Sequence, residues 1–282
     1  GVRGGARVPM SCVSGVVAKA EESFGKASAA LLDRTFRKPL SIQQKLAVAC
    51  RILGTNGQGG TITGQVTARG EQVGTMWTQR FGIGVEEMLP SDYMLVDGEL
   101  NVIEGEGMPN PANQFHLAVY EKRSDIQAII HTHSKHCSAL SMLGKPLEMS
   151  HMDSAMLYER VAHLPTWPGT PFGYDEGELI SNSLGDKQGI LLAHHGQLSS
   201  GHCIEQATVF ALTMEWAAEV QLAATAAGNI QSIDPGLARE ACHFLNSTGV
   251  CESMFAYHAR MAIRSDPAAA EALGVHYPPH GC

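Results

Sequence analysis

Nowhere in this chain do about 18 apolar residues run together, so no membrane-spanning helix is expected. Basic residues are in the minority. Twenty Lys and Arg face 28 Asp and Glu, for a formal net charge of −8 and a pI of about 5.9. That balance argues against a general affinity for nucleic acid or an anionic membrane surface. None of the seven cysteines forms a CxxC pair. An odd count spread over 282 residues does not fit a disulfide framework. A reducing cytoplasm is the simplest expectation, with Cys137 read as a small buried hydrophobe. Asn56-Gly-Gln-Gly-Gly60 is glycine-rich, but no Gly-Lys-Ser/Thr follows, which excludes a phosphate-binding P-loop. Gly1 to Arg7 carries two arginines with no apolar run behind them, so no secretory leader is read there.

What remains is ordinary globular material, 44% hydrophobic and 17% charged. The length suits one large domain with a substantial core. Residues 1–15 are expected to form a flexible tail, 16–262 a catalytic domain, and 263–282 a C-terminal extension. Helices are predicted over Val16 to Leu32, Ile42 to Leu53 (with Ser41 as N-cap), Asn113 to Glu121, Cys137 to Leu143, Leu179 to Leu184, Ile204 to Ala227 and Pro235 to Ser247. Strands are predicted over Thr61 to Arg69, Val73 to Gln79, Tyr93 to Val96, Leu100 to Ile103, Ile126 to Ile130 and Gly189 to Ala193. Asp97-Gly98 marks a turn. Residues 163–174, rich in Pro and Gly, read as an irregular loop. Helices and strands mix throughout, the pattern of an α/β domain without internal repeats.

The apolar run Ile126 to Ile130 delivers His131, Thr132 and His133. On a strand, residues i and i+2 share a face, so both imidazoles aim at one point. The second apolar strand, Gly189 to Ala193, ends in His194-His195-Gly196 and can supply a third nitrogen. A lone buried histidine is usually a core residue; two at i, i+2 with a third at the end of another strand indicate a metal site. Three imidazoles leave a coordination position open, as catalytic sites do.

Set beside further segments, these histidines complete a recognisable order: Gly64-Gln-Val-Thr67, Gly105-Glu-Gly-Met-Pro109, Phe115-His116, Ile129-Ile-His-Thr-His133 with Ala139, and Leu191-Leu-Ala-His-His-Gly196 with Gly201. From about Ile42 to about Thr225 the chain resembles the class II aldolase/adducin family. The resemblance implies a three-layer α/β/α sandwich around a central, mostly antiparallel sheet. It also implies a homotetramer with active sites between subunits, and one divalent transition metal (Mn, Zn or Fe) held by His131, His133 and His195. His136 is expected to orient a ligand. His116 is expected either near the metal or in a structural hydrogen bond.

Departures from the family's sugar-phosphate aldolases carry the functional information. Their substrate-phosphate Asn corresponds to Gln65. A Thr-Gly pair corresponds to Phe81-Gly82, and a Ser-Ser-Glu motif to Asn110-Pro111-Ala112. Pro111 has no N–H to donate, Ala112 cannot shuttle a proton, and no acidic residue lies between Gly107 and Phe115. The chain instead gains Trp77, Arg80 and Phe81, and a guanidinium beside aromatic rings suits a planar carboxylate. The Met108 to Ala112 and Leu164 to Pro168 stretches are similar to those of non-aldolase branches. These include decarboxylases of hydroxylated aromatic and heteroaromatic carboxylates, and iron-dependent oxygenases.

The expectation is therefore a metal-dependent decarboxylase of a small hydroxylated aromatic or heteroaromatic carboxylate. Gln65, Arg80, Phe81 and Asn110 are the substrate-binding candidates, and His116, His151, Asp153 and Tyr158 the candidate proton donors. Rival readings are an Fe²⁺ oxygenase using the same histidines, an aldolase acting on an unphosphorylated substrate, and a non-catalytic scaffold.

Overall fold

In the computed structural model, residues 10–36, 38–169 and 174–276 are described. A long helix, α1 (Met10–Thr35), leads into α2 (Ile42–Thr55). Ser41 starts α2 as its sequence predicts. Its hydroxyl accepts the Gln44 N–H at 3.2 Å, and Gln44 Oε1 accepts the Ser41 N–H at 3.1 Å, a capping box that satisfies two otherwise orphaned donors. Strands β1 (Gln65–Arg69), β2 (Met76–Gln79), β3 (Tyr93–Val96) and β4 (Val102–Glu104) then form an antiparallel meander. Helix α3 (Gln114–Lys122) returns the chain to β5 (Ala128–Thr132), which pairs antiparallel with β1. Next come α4 (Lys135–Ser141), β6 (Val161–Leu164), α5 (Tyr174–Leu184), β7 (Gly189–Leu192) and β8 (Gly196–Gly201). Four helices close the described chain: α6 (Ile204–Ala227), α7 (Pro235–Leu245), α8 (Thr248–Ser265) and α9 (Ala270–Leu273).

The eight strands make one sheet in the order β4-β3-β2-β1-β5-β8-β7-β6. Its pairings are antiparallel apart from β6 with β7. Alternating side chains feed two cores. Ala128 and Ile130 of β5 join the core shared with α2, α6 and α8, while Ile129 joins the core beneath α3 and α5. This is the three-layer α/β/α arrangement implied by the resemblance. No helix among the described residues is long and apolar enough to cross a membrane.

The differences from the sequence reading have local causes. Residues 1–9 of the expected tail lie outside the described residues, and from Met10 onward the chain is helical. The first strand begins at Gln65 rather than Thr61, because the Thr61 and Thr63 hydroxyls bond each other at 2.8 Å in a bend. Leu100 takes a φ of 65° in the turn, so β4 starts at Val102. Strand β6 enters the stretch read as an irregular loop, whose residues 170–173 lie outside the described set. Strand β8 and helix α8 carry no strong apolar pattern in the sequence, yet every residue of β8 is buried.

Candidate metal centre

The parity that buries Ile129 under α3 turns His131 the same way, and His133 continues it just past the end of β5. Thr132 faces the opposite layer, where its hydroxyl donates to Gln58 Oε1 at 2.8 Å. The third imidazole arrives from the short connection between β7 and β8. There His194 adopts a φ of 54°, a conformation that bends the chain sharply and brings His195 alongside the other two. Gly196 opens β8. A Cβ at that position would collide with the Thr132 carbonyl oxygen, so glycine permits β8 to approach β5 beside the site.

The three histidines offer ligand nitrogens that all lie within 4.8 Å of one another. His131 Nε2 and His133 Nε2 stand 3.0 Å apart. Ring centroids are separated by 4.9 Å for His131–His133, 4.7 Å for His131–His195 and 4.5 Å for His133–His195. Two nitrogens on a tetrahedral ion at bond lengths of about 2.0–2.1 Å stand about 3.3 Å apart. The donor set therefore suits a divalent metal.

Two of the imidazoles are held from behind. His131 Nδ1 donates to the backbone carbonyl of Gln197 at 2.8 Å, which leaves Nε2 unprotonated toward the centre. His133 Nδ1 lies 3.2 Å from Thr63 Oγ1, which in turn meets Thr61 Oγ1 at 2.8 Å. Phe115 presses edge-on against His131, with centroids 5.1 Å apart. Behind Gln197 sits a buried polar lattice. Its Nε2 donates to Gln58 Oε1 and to the Ala211 carbonyl, each at 3.0 Å, and Gln58 Nε2 donates to the same carbonyl at 3.0 Å. Glu215 of α6 accepts the His136 and Cys137 N–H groups at 2.8 and 2.9 Å, capping α4 directly after the His133 segment. His136 Nδ1 meets Glu215 as well, at 2.9 Å, and not a metal-facing histidine.

Burial holds His131 well below the ordinary imidazole range, with the His195 and His133 rings adding to the effect. Burial likewise lowers His133, and brings His195 down to about 4 with help from His133. Neutral imidazole is the form that binds metal.

The triad floors a cavity of about 470 Å³ lined by Thr63, Gln65, Phe81, Met108, Asn110 and Pro111, with Ala112, Phe115, Trp167, Gly169 and His194 completing the walls. No Asp, Glu, Lys or Arg belongs to this lining among the described residues. Gln65 sits opposite His131 in the β1–β5 ladder. Asn110 uses Oδ1 to accept the Ala112 N–H at 3.0 Å. Phe81, Met108 and Trp167 are 39%, 59% and 51% exposed and form the outer wall.

The other expected residues stand elsewhere in the chain. The Arg80 guanidinium pairs with Asp92, its aliphatic stem fills the space beside Gly107, and it does not line the cavity. Trp77 is buried in the α2-side core. His116 is fully buried against β1, with Nδ1 2.8 Å from Thr67 Oγ1, and burial depresses its pKa to about 3. His151 packs on Trp216 with centroids 5.0 Å apart, its Nδ1 3.8 Å from Asp153. Tyr158 borders a different, polar depression with Arg160 and Arg239. The structure thus gathers His131, His133, His195, Gln65, Phe81 and Asn110. Within one chain it does not bring Arg80, His116, His151, Asp153 or Tyr158 into their cavity. Thr63, Gln58, Gln197 and Glu215 support the site without any motif that marks them; only the pair Thr61-x-Thr63 before Gly64 hints at it.

Residues 44–222 match the profile of the class II aldolase and adducin N-terminal domain. A decarboxylase, NovR, from Streptomyces niveus is 28% identical over 186 residues, 65% of this chain and 68% of that protein. A 4-hydroxy-3-prenylphenylpyruvate oxygenase/4-hydroxy-3-prenylbenzoate synthase from Streptomyces roseochromogenus is 27% identical over 186 residues, 65% of this chain and 66% of its own length. Among solved structures, the L-fuculose 1-phosphate aldolase of Glaciozyma antarctica superposes with a TM-score of 0.74 at 29% identity, covering 86% of this chain and 98% of the aldolase.

Proposed function

The chain belongs to the class II aldolase and adducin family, and from that premise we propose that it is a divalent-metal-dependent carbon–carbon lyase, a decarboxylase of a hydroxylated aromatic or heteroaromatic carboxylate. The observation that carries this reading is the cavity itself: three neutral imidazoles at the floor, aromatic and apolar walls, and no charged side chain among its described lining. No Lys or Arg stands among the described lining to pair with a phosphate. Phe81, Pro111 and Ala112 stand where a hydroxyl donor, a backbone donor and a proton-shuttling carboxylate would serve an aldolase.

A metal held by His131, His133 and His195, of the kinds that imidazole suits (Zn²⁺, Mn²⁺ or Fe²⁺), supplies a Lewis acid that stabilises the negative charge left when CO₂ departs. The protein's own residues do the rest. Gln197 and Thr63 fix the direction of two imidazoles, which line the cavity. Phe81, Phe115 and Trp167 hold a planar ring and keep bulk water from it. Apart from the triad, His194 is the one titratable side chain in the described lining. We assign delivery of the proton to the ring carbon to His194 at the rim. The exposed outer wall of Phe81, Met108 and Trp167 is completed by a neighbouring subunit in a homotetramer.

The test is incubation of purified, metal-loaded protein with a panel of hydroxylated benzoates and pyridine carboxylates under nitrogen. Metal-dependent CO₂ release supports the reading, and its absence with every member counts against it. A second reading, an Fe²⁺ oxygenase, draws on the Streptomyces roseochromogenus relative. Oxygen uptake in step with turnover and strict iron dependence favour it.

A further inference from the structure

The cations missing from the metal cavity gather at the other end of β6 and β7. There a second cavity, of about 500 Å³, is bordered by Tyr158, Arg160, Lys187, Gln188 and Arg239. The two strands are parallel, with Val161 beside Gly189, so Arg160 and Gln188 stand next to each other just before the strands begin. From here β7 runs toward the metal centre and ends before His194 and His195. Its four residues, at about 3.3 Å each, hold the two sites about 13 Å or more apart. Arg160 donates from Nη1 to Gln188 Oε1 at 3.0 Å. Gln188 is 8% exposed, so a buried, neutral amide holds the guanidinium in place. The other guanidinium nitrogens, Nε and Nη2, have no protein partner among the described residues and are open to solvent. A guanidinium presents five N–H donors in a planar fork, and most of this fork is unused.

Two acidic residues share the rim. Glu159 lies 3.5 Å from Arg239, and Asp186 lies 3.3 Å from Lys187. All four side chains are exposed, and such pairs contribute little, so an incoming anion displaces the acids at small cost. His243, also at the rim, faces Glu21 at 3.4 Å. Three permanent cations thus meet two acids, and Arg160 is the one left over. Lys187 comes from the turn before β7 and Arg239 from α7, so separate segments converge on the space in front of the Arg160 fork. We propose that this cavity is an anion site distinct from the metal centre, and that it takes the phosphate group of a small molecule. Two phosphate oxygens pair with the Arg160 fork, the geometry in which arginine binds phosphate best. Lys187 and Arg239 match the second negative charge, which a carboxylate lacks. Small-ligand cavities measure about 300–1,000 Å³, so space remains for the rest of the molecule. The site stands whatever reaction the metal supports.

The experiment titrates inorganic phosphate, and separately acetate, into the metal-loaded protein by calorimetry at low ionic strength. One phosphate site per chain is expected, with a Kd of about 1 mM or below, weakening as salt is added. Acetate is expected to bind at least about tenfold more weakly. Arg160→Gln is expected to weaken phosphate about tenfold or more, the usual cost of losing a charged hydrogen bond, and to leave the metal content at one equivalent. Phosphate can also ligate a metal, so the titration is repeated after chelation, with the same Kd expected. Loss of the site on chelation would move it to the histidines and overturn the proposal. No saturable binding, an unchanged Kd in Arg160→Gln, or acetate binding as tightly as phosphate would overturn it too. If Arg160→Gln fails to fold, the double variant Lys187→Gln, Arg239→Gln, at two exposed positions, carries the same test with the same tenfold weakening expected.

Discussion

At the inner end of the cavity, polar groups are pinned. His131 is held by the Gln197 carbonyl, His133 by Thr63, and Gln197 by Gln58 and Ala211. At the outer end, Phe81, Met108 and Trp167 stand exposed, with no charged side chain among the described lining to anchor a ligand. The difference separates two tasks. The inner end fixes where the metal-binding nitrogens point, through a buried network of side-chain amides. The outer end selects by shape and by the absence of charge, and it can vary without disturbing the histidines.

The largest expected effect breaks the inner end outright. His131→Ala should reduce bound metal, measured by elemental analysis, from one equivalent per chain to background. Full retention of metal would refute the triad. Next, Thr63→Val removes the partner of His133 Nδ1 and should weaken metal binding about 10–100-fold in a chelator competition. An unchanged affinity would show that the inner end does not depend on its supports. At the outer end, Trp167→Ala should leave the metal content intact and weaken aromatic acids about three- to tenfold by calorimetry, the worth of an aromatic pair. A variant that lost its metal as well would erase the distinction between the two ends. The smallest effect concerns Arg80→Met. Because Arg80 is engaged with Asp92, carboxylate binding should shift less than about twofold, while stability falls because the buried Asp92 carboxylate loses its charged partner. Loss of carboxylate binding would mean that the wall is charged after all.

The inner end was half legible in the sequence, for a physical reason. Strand β5 reads Ala-Ile-Ile-His-Thr: its apolar run predicts a buried strand, and the period of two then places His131 and His133 on one face. Its neighbour β8 reads Gly-Gln-Leu-Ser-Ser-Gly and predicts nothing, although it is wholly buried. Its polar residues are tolerated inside because each finds a partner on another element: Ser199 donates to the Ala207 carbonyl at 3.1 Å, Ser200 to the Gln188 carbonyl at 2.8 Å, and Gln197 to Gln58, 139 positions away. Such partners have no local signature. Arg80 was misleading for the same reason. Beside Phe81 it resembles a carboxylate fork, but Asp92 claims it across the β2–β3 hairpin. The sandwich was legible through the ordered glycine and histidine anchors. The boundaries of β1 and β4 were not, since a hydroxyl pair and a positive φ decide them.

On the proposed function, a metal at these three imidazoles would let the cavity's ligand exchange a carboxylate for a proton. One measurement addresses it most directly: incubation of the metal-loaded protein, without oxygen and in D₂O, with a hydroxylated aromatic acid bearing ¹³C in its carboxyl group. One labelled CO₂ is expected for each acid consumed, with one deuterium on the ring carbon that lost it and no reaction after chelation of the metal. Turnover that requires oxygen, or product that retains the labelled carbon, would contradict it.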